Sequence, residues 1–122
     1  IVNVSFRLID SNGNEKTPYD QPLRSFNAKY IQPRLEFEPW RDNDTTFSVQ
    51  IKVTRPNGNP IYLPGKKYTS EKELTLKKSK KNQFVEFVEF GSEKDGFWKA
   101  GEYKVEIMES KDVIFTTTFN IL

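Results

Sequence analysis

The segment Gly101-Glu102-Tyr103-Lys104-Val105-Glu106-Ile107, a polar turn at Glu109 to Asp112 and the run Val113 to Leu122 constrain this chain most. Tyr103, Val105 and Ile107 alternate with charged residues, and Val113, Phe115, Phe119 and Ile121 alternate with more polar neighbours. Period-two alternation on both sides of a polar turn predicts two antiparallel strands, each with one apolar face. Two strands alone are at best marginally stable in water, so the apolar face requires a second layer. The rest of the chain has to supply it.

Val2, Val4, Phe6 and Leu8 predict a first strand, closed by the turn signal Asn12-Gly13. Pro18 and Pro22 mark an irregular connection, because proline fixes φ and removes a backbone donor. Regular pattern returns at Ser25 to Tyr30. Arg34 to Glu38, bounded by Pro33 and Pro39, predicts a short strand near a sheet edge. Thr45 to Thr54 is the clearest central strand, with Phe47, Val49, Ile51 and Val53 on one face. Ile61 to Leu63, Glu73 to Leu76 and Gln83 to Phe90 complete the set. In the last of these, Phe84, Val88 and Phe90 compete with Val85 and Phe87 for the inward face. No apolar residues recur at helical spacing over three turns. The expectation is therefore an all-β, two-sheet antiparallel β-sandwich of about eight strands with no long helix, spanning 1–122 as one domain.

Composition narrows the chemistry. Among 122 residues there is no cysteine and no histidine, so disulfides, thiolate nucleophiles and the commonest general base and metal ligand are all missing. No nucleophile elbow, phosphate-cradling glycine loop or dinucleotide fingerprint is present. Ser70 and Ser79 have lysines nearby, but in polar surroundings that would not activate them. The expectation is a non-enzymatic protein without cofactor. A net charge of +2 gives no long-range argument for nucleic acid or anionic membrane. No apolar run approaches the ~18 residues of a membrane span. The chain starts at Ile1 rather than methionine, which suggests an excised domain or a processed protein.

Trp98-Lys99-Ala100-Gly101-Glu102-Tyr103, closing on Phe119-Asn120-Ile121, resembles the last hairpin of immunoglobulin-like and fibronectin type III-like modules, in particular disulfide-free ones of bacterial envelope proteins. The strand-to-turn segment Val53-Thr54-Arg55-Pro56-Asn57-Gly58 is similar to turns in the same modules. The resemblance covers about the last quarter of the chain. It implies that Tyr103 is a corner tyrosine whose hydroxyl bonds back to nearby backbone, with Val105 where antibody domains carry a cysteine. It also implies a spacer or protein-binding domain of a larger cell-envelope or secreted bacterial protein, with other domains of the same polypeptide or a separate protein as partners.

Carbohydrate binding is the alternative function. Trp40, Tyr62, Tyr68, Phe97 and Trp98 fall at strand ends or loops, where a β-sandwich can present an aromatic platform. The bland reading is that Trp98 caps the core and Trp40 covers a sandwich end, since buried aromatics remove on the order of 150–250 Å² each from water. Asp42-Asn43-Asp44, with Glu38, contains a fragment of a calcium-loop pattern, but lacks its glycine and its terminal glutamate. A polar turn is the simpler account. The candidate ligand contacts are thus Trp40, Trp98, Asp42 and Asp44. The basic run Lys77 to Lys81 contains no aromatic residue to stack on a base and reads as a solvated hairpin tip, so no nucleic-acid partner is expected.

Overall fold

The structure is a computed structural model that describes residues 1, 3–10, 12, 14–24 and 28–122. The strand and turn expectations that involve Val2, Ser11, Gly13 and residues 25–27 lie outside the described residues. The strands are β1 (Asn3–Ile9), β2 (Tyr30–Phe37), β3 (Thr45–Thr54), β4 (Pro60–Ile61), β5 (Ser70–Leu76), β6 (Gln83–Glu86), β7 (Phe90–Gly91), β8 (Gly101–Glu109) and β9 (Asp112–Ile121). Among the described residues there is no helix, hence none long and apolar enough to cross a membrane.

The strands form two antiparallel sheets. In the first, β2 lies between β1 on one side and β6 and β7 on the other. In the second, β3 pairs with β8 on one edge and with β5 and β4 on the other, and β9 extends the sheet beyond β8. The expected closing hairpin is therefore β8–β9, with Tyr103 opposite Phe119 and Val105 opposite Thr117. Alternation places Val4, Phe6, Leu8, Ile31, Leu35 and Phe37 of the first sheet in one core with Val49, Ile51, Val53, Tyr103, Val105 and Ile107 of the second. The Phe6 and Phe119 rings meet across the sheets with centroids 4.7 Å apart.

One element is more central than its prolines suggested. The segment 34–38 belongs to the eight-residue β2, the middle strand of its sheet rather than an edge. Pro33 is tolerated there because of where its missing donor would point. In an antiparallel strand a residue's N–H and C=O face the same neighbour. The Pro33 carbonyl accepts from the Phe87 amide at 2.8 Å, in the interval between β6 and β7. The missing N–H thus falls where the neighbouring strand is interrupted, and the Gln32 side chain donates to the Phe87 carbonyl there at 3.1 Å. The same interruption divides the expected 83–90 strand into β6 and β7, giving nine strands among the described residues rather than about eight. It also resolves which face points inward. Phe87 and Phe90 are buried and Val85 is half-buried, whereas Phe84 and Val88 face out.

A second departure concerns the lysine run. Residues 77–82 are not the tip of a hairpin, because β5 belongs to the second sheet and β6 to the first. They form a crossover between sheets, at the end of the sandwich where β2 finishes and β3 begins.

The irregular connection after β1 is held down by aromatic and cationic side chains. Arg7 and Arg34, on neighbouring strands, place their guanidinium groups 4.7 and 4.2 Å from the centre of the Tyr19 ring. Arg34 also lies over Phe84 at 4.7 Å, and Arg7 donates to Glu86 at 2.8 Å and to Gln32. Burial pushes the Tyr19 phenol up to about 12.

Candidate functional site

The fold separates Trp98 from the other three candidate residues. Trp98 lies in the core, 1% exposed, with its indole N–H donated to the Lys29 carbonyl at 3.1 Å. Its ring packs against Phe90, Phe97, Tyr103 and Phe119. An indole enclosed on this scale has no free face for a ligand, so its expected role as a contact is corrected to that of a core cap. Beside it the Tyr103 hydroxyl donates to the Lys99 carbonyl at 2.8 Å and accepts from the Lys99 amide at 3.0 Å. That is the back-bonding geometry of a tyrosine corner. The Tyr103 and Phe119 rings stack within 2° of parallel.

Trp40, Asp42 and Asp44 stay together at the other end of the sandwich, on the loop from β2 to β3. Trp40 packs partly against the core and donates its indole N–H to the Asn43 carbonyl at 3.2 Å, which fixes the plane of the ring. Thr45 Oγ1 donates to the same carbonyl at 2.7 Å. Asp44 is turned toward the lysine crossover: its Oδ1 accepts from the Lys78 amide at 2.9 Å and its Oδ2 sits 3.4 Å from Lys77 Nζ. The Lys78 amide, then Lys77, hold the Asp44 carboxyl below the ordinary carboxylate range. With the Ser79 amide donating to the Trp40 carbonyl at 2.9 Å, three contacts lace the two loops together. Asp42 is exposed beside them. The Asp44 carboxylate is thus occupied in joining two loops, an arrangement that suits a structural tie.

Between the laced loops is an open recess of about 710 Å³, lined by Pro39, Trp40, Arg41, Lys78, Ser79 and Lys80. The sequence missed this combination, because nothing in local spacing signals that residue 40 and residues 78–80 share one surface. The crossover of the chain from one sheet to the other brings them there.

A larger groove of about 870 Å³ lies at the Trp98 end, along β4, the start of β5 and β7. It collects Tyr62, Tyr68 and Phe97, which sequence reasoning had singled out separately, together with Tyr30, Leu63 and Val88. Tyr62, Leu63 and Val88 are each at least 40% exposed. Its polar members include Arg55, which donates to the Pro60 carbonyl at 3.0 Å, and Glu71, which accepts from Gln50 at 2.7 Å.

No known protein family matches the chain, and no curated protein matches it in sequence.

Proposed function

We propose that the chain is a non-catalytic, fibronectin III-like module of a larger bacterial cell-envelope or secreted protein, acting as a spacer or protein-binding domain. Two features support the resemblance, the first shared by both kinds of module and the second particular to the fibronectin-like branch. The Tyr103 corner is formed on both backbone groups of Lys99. Both strands between β3 and β6, the short β4 and β5, pair with β3 in the second sheet, whereas a constant-type immunoglobulin domain has its strand D in the first.

The observation that carries the binding role is the groove at the Trp98 end. Tyr62, Leu63 and Val88 are large apolar side chains left exposed on two separate segments, 62–63 and 88, and they converge on one surface. Scattered exposed apolar residues are ordinary, but convergent ones mark contact surfaces. The partner is a neighbouring domain of the same polypeptide or another protein. Hydrogen exchange of residues 60–64 and 87–91, compared between the isolated chain and the full-length gene product, tests this. Added protection in the longer protein is expected. Identical exchange, with no partner-dependent protection, contradicts a role for the groove as a contact surface.

A second reading, carbohydrate binding, is favoured by one observation. Trp40 is half-buried, held in a fixed plane and borders an open recess.

A further inference from the structure

We infer that the Trp40 recess binds an acidic saccharide, with a sugar ring on the indole and its carboxylate or sulfate on Arg41, Lys78 and Lys80. This rests on the carbohydrate reading and specifies its ligand class. The first argument is charge. Three of the six lining residues are cationic and none is acidic. Asp44, the acid best placed to neutralise them, is taken up by Lys77 and by the Lys78 amide. Among the described residues, no ion pair involves Arg41, Lys78 or Lys80.

The second argument is hydrogen-bonding type. Lysine and arginine only donate, and the sole neutral polar side chain in the lining is Ser79. A neutral sugar, whose hydroxyls both donate and accept, would leave much of its capacity unmatched on such a surface. A carboxylate or sulfate only accepts, and matches it. Shape is the third. The recess lies within the roughly 300–1,000 Å³ of small-ligand sites, and its single indole offers one stacking face. The lacing between the loops holds the indole and the cation-bearing backbone before any ligand arrives, so little ordering remains to be done on binding.

A nucleic-acid strand fits less well. It requires a continuous basic track and successive aromatic platforms. Here the lining supplies three cations, Arg41, Lys78 and Lys80, and a single aromatic ring, Trp40, with no second platform for a following base.

The test is titration calorimetry on the whole chain, with intrinsic fluorescence alongside, using polygalacturonate, heparin, fully methyl-esterified polygalacturonate, polyglutamate and oligothymidylate. Binding to polygalacturonate or heparin is expected, weakened by salt, with a change in Trp40 emission. The double substitution Lys78→Gln with Lys80→Gln should weaken it about tenfold or more, as loss of charge-assisted hydrogen bonds does. Both side chains are exposed, so that variant keeps the fold. Trp40→Ala should abolish binding to the same probes. Equal binding of the methyl ester overturns the acidic specificity while leaving the carbohydrate reading intact. Equal binding of polyglutamate, or tighter binding of oligothymidylate, overturns the inference in favour of plain ion exchange or nucleic acid. Failure of every saccharide removes both the inference and the reading beneath it.

Discussion

Lys99 is an exposed residue, yet its backbone N–H and C=O are both bonded to one phenolic oxygen. Removing that oxygen with Tyr103→Phe leaves the ring stacked on Phe119 and deletes only the corner bonds. Water can reach Lys99, so the expected loss is about 0.5–1.5 kcal/mol, read as a shift in the urea midpoint. A variant as stable as the parent would strip the corner of any stabilising role. Gly91 is a stricter position. Its φ is +148°, and an added Cβ would fall 2.0 Å from the Lys29 carbonyl oxygen, the same atom that accepts from Trp98 and Ser92. Gly91→Ala should cost about 1–3 kcal/mol from backbone strain alone, and more if the Trp98 bond is displaced. Unchanged stability would contradict this packing. The two tryptophans show what a sequence conveys at this scale. Tyr103 is legible because glycine two residues earlier and strict alternation mark the strand entry. Trp98 and Trp40 both fall outside any alternating run, and the burial of Trp98 is set by distant partners such as Phe90 and Phe119 that spacing cannot reveal.

At the scale of elements, the Tyr19 clamp adds side-chain contacts to a connection whose backbone is bridged only locally, at Ile9–Glu15 and Leu23–Ile121 among the described residues. Each exposed cation–π contact contributes roughly 0.5–1 kcal/mol, so Tyr19→Ala should destabilise by about 1–2 kcal/mol. It should also raise hydrogen exchange in the stretch 15–24 more than in β1 or β2. A uniform rise across all three would mean that the connection is not tethered in this way. The strands β1, β3, β8 and β9 were legible from period two because each alternates along most of its length. The run 83–90 was not, since its inward residues are spaced by two at Val85 and Phe87 and then by three to Phe90. That change of period is the footprint of the gap opposite Pro33. The edge position expected for 34–38 failed for the same reason, because a proline beside an interrupted neighbour costs no ladder bond.

Across the whole molecule, the burial that packs Tyr19 and Tyr103 also governs its response to base. Burial pushes both phenols up, Tyr19 to about 12. The folded state therefore favours their neutral forms. The stability this confers is fully present below the ordinary tyrosine value of 10 and is lost as pH rises through the raised values. Urea midpoints should decline between pH 10 and about 12, and the Tyr19→Phe variant should decline less. An equal decline in both would assign the alkaline loss to other groups. The sandwich itself follows from short alternating strands that need a facing layer. What that reasoning could not supply is which sheet each strand joins, and the Trp40 recess depends on that choice. It exists because β5 pairs with β3 while β6 pairs with β2, drawing the lysine crossover over the end of the sandwich. Cross-strand nuclear Overhauser contacts test this partition most directly. Leu74 is expected to contact Phe47, and Val85 to contact Leu35, in their paired registers. Leu74 and Val85 paired instead as neighbours in a β5–β6 hairpin would contradict the strand order, and with it the proposed fibronectin-like reading and the recess.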